Sequence, residues 1–357
     1  MDSFVKPSSC FGGINCDIGY LGFYQDYFAN AKQVYAIKGG PGTGKSHLMR
    51  RFAARAVELG ERPLLIHCGS DAESLDGVYL PDRRIGILDG TSPHRFEPDL
   101  AGVDGELIDL GRFWDRARLL AQEEGIRRLA EEKKERYGTV YRLFGAMRRL
   151  RLEMRDRLER MLDLEKLDKA ARRTVEALRG EGALCVRQKS AIGMGGEVTL
   201  PDEICVQIGV RDEYGLGGRY LEALRGWAER RGIACLISYH PIYHDELRCL
   251  SFPGSGIRYT AAPTPAVTRN VHMRRFRDHD AFLGARSEWR ELARLCDGME
   301  EQAHGCFAEI RRAHFGLESI YTAAMDFSSL DRFEERTVEA ILAKENRPAA
   351  GCEAGMH

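Results

Sequence analysis

The sequence predicts an α/β fold built twice in tandem, each copy followed by a long helical hairpin arm. Three observations carry that expectation. Between Val34 and Gly60 an apolar run, a glycine-rich loop and an amphipathic stretch follow one another. Residues 232–266 repeat 60–94 without a gap, Gly232 falling on Gly60, Leu236 on Leu64, Leu247 on Leu75, Pro253 on Pro81, Ile257 on Ile85 and Pro265 on Pro93. From Arg112 to Arg179 there is no proline, and Tyr137, Val140, Phe144, Met147, Met154, Leu158 and Met161 recur at spacings of three, four and seven. Such a seam is the mark of long helices packed side by side.

In chain order, residues 1–33 form a glycine- and aromatic-rich lead-in, with Tyr24, Tyr27 and Phe28 expected to pack under the first strand. Val34-Tyr35-Ala36-Ile37 is that strand, a short β-prone run. The loop Gly39-Gly40-Pro41-Gly42-Thr43-Gly44-Lys45-Ser46 fits G-x-x-x-x-G-K-[ST]. Glycines let the backbone curl so that N–H groups point at phosphate oxygens, Lys45 reaches the β- and γ-phosphates, and the Ser46 hydroxyl ligates Mg²⁺. Leu48, Phe52, Ala56 and Leu59 then recur at helical spacing, and Gly60 ends the helix.

Pro63–Cys68 reads as a second strand, followed by Asp71, a carboxylate placed either to activate water or hold an acceptor, or to cap the turn. Arg84–Asp89 reads as a third strand ending in an acid, the Walker B arrangement, in which Asp89 shares Mg²⁺ with Ser46. Gly90 follows, so the adjacent glutamate that activates water in many ATPases is missing, and slow hydrolysis or transfer to another acceptor is expected. His94 lies just beyond, at the sheet edge where α/β folds place ligands. No N-K-x-D or T-K-x-D sequence favours guanine, which supports ATP. In the arm, Gly125, Gly138 and Gly145 are candidate bends. The basic run from Arg148 to Arg160 is read as a solvated helical face with internal pairs, the rival being a grip on a phosphate-rich partner.

The second copy has lost the chemistry. Its loop runs Asp212-Glu213-Tyr214-Gly215-Leu216-Gly217-Gly218-Arg219 and matches the first directly or one residue shorter. Lys45 is met by Gly218 or Gly217, Ser46 by Arg219 or Gly218, and Asp89 by Ala261. Later stretches also echo: Leu330-Asp331 and Arg336–Ala340 repeat Leu167-Asp168 and Arg173–Ala177, and Phe315-Gly316 echoes Tyr137-Gly138. The expected domains are 1–181, with an arm over about 112–179, and a degenerate 182–345, with an arm over about 272–345. Residues 346–357 are expected to be a disordered tail. His240-x-x-x-His244-Asp245-Glu246 is better read as a post-strand loop than as a metal set, since Pro241 interrupts any helix there.

At 357 residues the chain can bury two full cores. A net charge of −1 and a pI near 6.8 give no bulk attraction for a polyanion, so nucleic acid is the weaker choice of partner. Ten cysteines without a C-x-x-C pair read as reduced thiols in a cytoplasmic protein. No run approaches the roughly 18 apolar residues of a membrane span, and the opening residues lack a signal-peptide core.

Through Ile37–Ser46, His67–Asp71, Ser74–Val78, Ile87–His94, Leu107–Gly111 and Trp114-Asp115, the sequence resembles an uncharacterised group of bacterial P-loop ATP-binding proteins built from two tandem NTPase-like repeats. Members usually keep a phosphate-binding loop in both halves, and this chain does not. The resemblance implies two P-loop NTPase-like α/β domains, with ATP and Mg²⁺ bound by the first. The expected site is Lys45, Asp89 and Asp71 for catalysis, Gly39, Gly40, Pro41, Gly42, Thr43, Gly44, Lys45, Ser46 and His47 for nucleotide, and Ser46 with Asp89 for Mg²⁺. ATPase activity in the first half is the leading expectation. The alternatives are a phosphotransferase acting on an unknown acceptor and a nucleotide-gated module with a protein or nucleic-acid partner. Self-association into a homo-oligomer is compatible with each, and Arg219 is a candidate finger reaching the first site from the facing half or a second subunit.

Overall fold

The computed structural model describes residues 7–92, 102–201, 206–212, 215–262 and 267–344. The first half opens with β1 (Ser8–Phe11), a hairpin of β2 (Gly13–Cys16) and β3 (Gly19–Gly22), and the short α1 (Tyr24–Phe28). Next come β4 (Gln33–Lys38), α2 (Lys45–Glu58), β5 (Leu64–His67), β6 (Leu75–Leu80), β7 (Ile85–Asp89) and β8 (Gly105–Asp109). It closes with α3 (Arg116–Ala121), α4 (Glu123–Glu159) and α5 (Leu164–Glu176). The second half follows the same plan: β9 (Leu184–Val186), a hairpin of β10 (Ser190–Gly193) and β11 (Gly196–Thr199), β12 (Val206–Arg211) and α6 (Gly217–Arg230). Then come β13 (Cys235–Tyr239), β14 (Leu247–Phe252), β15 (Ile257–Thr260), β16 (Arg269–His272), α7 (His279–Ala323) and α8 (Phe327–Lys344).

The two halves build equivalent six-stranded mixed sheets, ordered β1-β5-β6-β7-β4-β8 and β9-β13-β14-β15-β12-β16. In each, one strand, β6 or β14, runs antiparallel to both neighbours and the other pairings are parallel. The registers agree as well: Leu64 opposes Tyr79 as Leu236 opposes Ser251, and a bulge falls at Ile66/His67 and again at Ser238/Tyr239. Gly60 and Gly232, with φ of 84° and 62°, end α2 and α6 in the left-handed turn that glycine adopts without steric cost. β4 lies inside its sheet between β7 and β8, and its four middle residues are all buried, as a central parallel strand requires. Tyr24, Tyr27 and Phe28 pack in the core beside β1 and β5, as expected.

The arms are not hairpins. α4 runs unbroken through Gly125, Gly138 and Gly145. Each glycine costs a helix only about 1 kcal/mol relative to alanine, and the packed seam offsets that. Thirty-seven residues carry the chain roughly 55 Å, past its own sheet and onto the other half. α4 therefore pairs with α7, antiparallel, and isolated bridges Trp114–Met325 and Leu162–Arg277 close the two ends. Val140, Phe144 and Met147 of α4 meet Ala303, Phe307 and Ile310 of α7 in one buried cluster.

The helices that follow are exchanged. Leu167, Ala171 and Val175 of α5 complete the core around α6, while Leu330, Val338, Ile341 and Leu342 of α8 complete the core around α2. Matching hydrogen bonds, Asp163 N–H to Phe276 O and Asp326 N–H to Phe113 O, fix how the arms correspond. By that register Val140, Phe144 and Met147 correspond to Ala303, Phe307 and Ile310, so the echo of Tyr137-Gly138 in Phe315-Gly316 is not a structural equivalence. Much of the basic run is paired internally: Arg148 with Asp245 and Glu246, Arg151 with Glu246, Arg155 with Glu159, and Arg157 with Glu153 and Glu288. Among the described residues no helix is long and apolar enough to cross a membrane.

Candidate functional site

The loop 39–44 leaves the buried end of β4 and turns directly into α2. Gly42 and Gly44 take φ of 70° and 89°, a region that residues with a Cβ enter only with strain. Among the described residues, the N–H groups of Gly42, Thr43, Gly44 and Lys45 donate to no protein acceptor. They sit at the N-terminus of a 14-residue helix, where the peptide dipoles add to their attraction for an anion. The Thr43 hydroxyl stiffens the curl by donating to Gly40 O at 2.9 Å.

Lys45 Nζ donates to Gly39 O (2.9 Å) and Gly40 O (2.7 Å) and lies 3.6 Å from Asp89 Oδ2. This juxtaposition follows from the sheet order. β4 and β7 are parallel neighbours with Ile37 opposite Asp89, so the acid ends its strand beside the loop. Asp89 is only 8% exposed, and its Oδ1 accepts from the N–H and hydroxyl of Thr91. Ser46 Oγ accepts the N–H of Leu75 at 3.0 Å, which leaves its second lone pair for another partner. A ring of amide donors, one ammonium, one hydroxyl and one carboxylate can hold a polyphosphate together with a hard cation.

The loop is walled by the exchanged helices of the other half. A Cβ at Gly40 would stand 3.0 Å from the Tyr321 ring of α7, and one at Gly42 would meet Thr322 Oγ1 at 2.5 Å. Leu330 and Glu334 of α8 close on Gly44 in the same way. The His47 ring turns to Glu334, Nδ1 lying 2.7 Å from Oε2. Asp71 accepts the N–H of Glu73 at 3.3 Å, the turn-capping role. It also faces Glu318 of α7, whose carboxyl is pushed up by burial and then by the Asp71 charge, with Lys45 opposing.

Two groups that the sequence did not single out stand beside Lys45. Lys133 Nζ of α4 lies 3.2 Å from His314 Nδ1 of α7. Burial pulls Lys133 down and the Lys45 charge adds to the effect, while burial, Lys133 and Lys45 bring His314 down to about 4. In the sequence, Lys133 is hidden in the run Glu131-Glu132-Lys133-Lys134-Glu135. Its only signal is helical: it precedes Tyr137 of the seam by four residues and so shares that face.

The second half resolves into the shorter register. β12 ends at Arg211 as β4 ends at Lys38, and α6 starts at Gly217 as α2 starts at Lys45. Gly217, Gly218 and Arg219 thus hold the positions of Lys45, Ser46 and His47, and Leu216, right-handed, replaces the left-handed Gly44. The N–H of Gly217 is capped by Asp212 Oδ2 at 3.1 Å, a carboxylate supplied by the chain where the first loop leaves its donors without a protein partner. Arg219 pairs with Glu159 at 2.7 Å at this second loop and is not directed at the first site. The His240–Glu246 stretch is a junction: His240 Nδ1 accepts the Ile242 N–H, His244 pairs with Asp17, and the two acids bind Arg148 and Arg151. His94 lies outside the described residues. Compared with known protein families, curated proteins and solved structures, the chain matches none.

Proposed function

We propose that the chain is a Mg²⁺-dependent ATP-binding protein whose nucleotide site lies in the first half alone, with ATP hydrolysis as its reaction. The carrying observation is the meeting of Lys45 and Asp89 at 3.6 Å beneath an arc of unpartnered amides, set against Gly217 and Ala261 at the equivalent places. The Gly39–Gly44 backbone and Lys45 neutralise phosphate charge, and Ser46 and Asp89 offer the oxygen donors that Mg²⁺ prefers. Mg²⁺ held by Ser46 and Asp89 would supply neutralisation of the charge on the phosphates.

With Gly90 in place of an acid after Asp89, Asp71 and Glu318 are the candidates among the described residues to take a proton from the nucleophile. Equilibrium binding of ATP with Mg²⁺ should give one nucleotide per chain, and Lys45→Ala should remove turnover and weaken binding. Two equivalent nucleotides, or turnover that survives Lys45→Ala, would overturn the reading. A second reading, phosphoryl transfer to a small acceptor, draws support from the cavity that opens on Asp71. It requires ADP release to rise when the acceptor is supplied.

A further inference from the structure

Beside Asp71 lies a cavity of about 390 Å³. It is within the range of small-molecule sites, about 300–1,000 Å³. Its walls include Ser70, Asp71 and Glu73 after β5, Met194 at the tip of the β10–β11 hairpin, and Arg311 with Phe315 on α7. The floor is drawn tight by backbone contact, since the Met194 N–H donates to Ser70 O at 2.8 Å and a Cβ at Gly193 would lie 2.4 Å from the same oxygen.

The duplication supplies a comparison within one molecule. By the arm register Arg311 corresponds to Arg148, and by the sheet register Glu73 and Ser74 correspond to Asp245 and Glu246. Met194 corresponds to Asp17, each following the inner strand of its hairpin. In the second half Arg148 is 8% exposed and surrounded by all three acids, with Asp245 and Glu246 at 2.5 and 2.9 Å and Asp17 at 3.9 Å. In the first half two of those acids have become Ser74 and Met194. Arg311 is exposed, forms no ion pair with a described residue, and lies 5.6 Å from the centre of the Phe315 ring, itself 44% exposed. One copy of the site is closed by its own salt bridges. The other keeps the cation and one acid, Glu73, has Asp71 where the second half has Tyr243, and opens a cavity.

The geometry points to a nucleoside monophosphate as the occupant. The Arg311 guanidinium takes the phosphate in paired charge-assisted hydrogen bonds. Phe315, 44% exposed, offers aromatic surface for the base to stack on. Asp71 and Glu73 accept from the ribose hydroxyls. None of these residues belongs to the 39–46 loop, so the inference stands or falls apart from the ATP reading.

The test is calorimetric titration of the full chain with AMP, GMP, CMP and UMP, in the presence of Mg²⁺ and a saturating non-hydrolysable ATP analogue. Saturable binding of at least one of them, one per chain, is expected. It should survive Lys45→Ala, fall about tenfold or more in Arg311→Ala and fall about fivefold or more in Phe315→Ala. Both substituted side chains are exposed, and an unchanged melting temperature confirms that each variant folds. The proposal is overturned if no monophosphate binds, if Arg311→Ala binds as well as the parent, or if binding disappears with Lys45→Ala. Inorganic phosphate binding as tightly as the nucleotide would likewise overturn it, because the ring would then contribute nothing. One ATP analogue bound per chain with no monophosphate response would leave the nucleotide site standing and remove only this cavity's role.

Discussion

Around Lys45 the chain gathers more positive character than its loop alone provides. Burial and then the Lys45 charge pull Lys133 below the usual lysine value, and burial with the Lys133 and Lys45 charges brings His314 down to about 4. For His314 the consequence for stability has a definite sign. Between about pH 6.5 and 4 the unfolded imidazole binds a proton that the folded one refuses. The stability tied to the neutral form is whole above 6.5 and is lost as pH falls towards 4. Glu318 works the other way, because its raised carboxyl is relieved by protonation in acid. The clean measurement is therefore the difference between parent and His314→Gln in urea midpoints at pH 7 and pH 5. The parent should lose more stability than the variant over that interval, and equal losses would show that His314 takes up its proton as readily folded as unfolded. The first loop was legible in the sequence because its chemistry is contiguous. Lys133, His314 and Glu318 were not, because they reach the loop only through a long-range helix pairing that their neighbours do not encode.

The exchanged helices decide which element stabilises which. Ile341 is buried in the cluster with Leu48, Phe52 and Ala56 of α2, although it lies in α8, more than 280 positions further along the sequence. Ile341→Ala should cost about 2–5 kcal/mol, as buried aliphatic truncations do. Hydrogen exchange should quicken in α2 and the loop before it, with α6 unaffected. Faster exchange in α6 instead would mean that α8 packs in its own half. The ion pairs across the same contact, Arg51–Asp331 and Arg55–Glu339, are exposed and should contribute little. Here the sequence could go only part of the way. Strand, loop and helix were readable from local pattern, and the repeat fixed the sheet register of the second copy. The heptad seam showed that α4 had an apolar face but not what would cover it. The two arms are copies, so their seams are equivalent, and folding back or crossing over satisfies the same spacing. Length was the neglected clue, since an unbroken α4 outruns its own sheet.

At the scale of the whole molecule, neither half of the sequence is a complete folding unit. Residues 1–181 lack α8 to cover α2 and α7 to cover the α4 seam, and residues 182–357 lack α5 and α4 in return. The hairpins join the halves reciprocally too, Asp17 N–H to Ile242 O and Met194 N–H to Ser70 O. This gives the degenerate half a reason to persist without nucleotide chemistry of its own. It supplies Tyr321 and Thr322 against Gly40 and Gly42, and Leu330 and Glu334 against Gly44, so the first loop's curl is shaped by residues far away in sequence. Produced separately, each half should expose its apolar seam, bind a hydrophobic dye and show no cooperative melt. Produced together as two chains they should associate one to one, because every exchanged contact forms as well between chains as within one. ATP binding makes the sharper readout, with residues 1–181 alone failing to bind and the recombined pair recovering the affinity of the intact chain. A monomeric 1–181 fragment that melts cooperatively and binds ATP would show that the second half is dispensable to the site, and that the contacts from α7 and α8 follow the loop's shape instead of setting it.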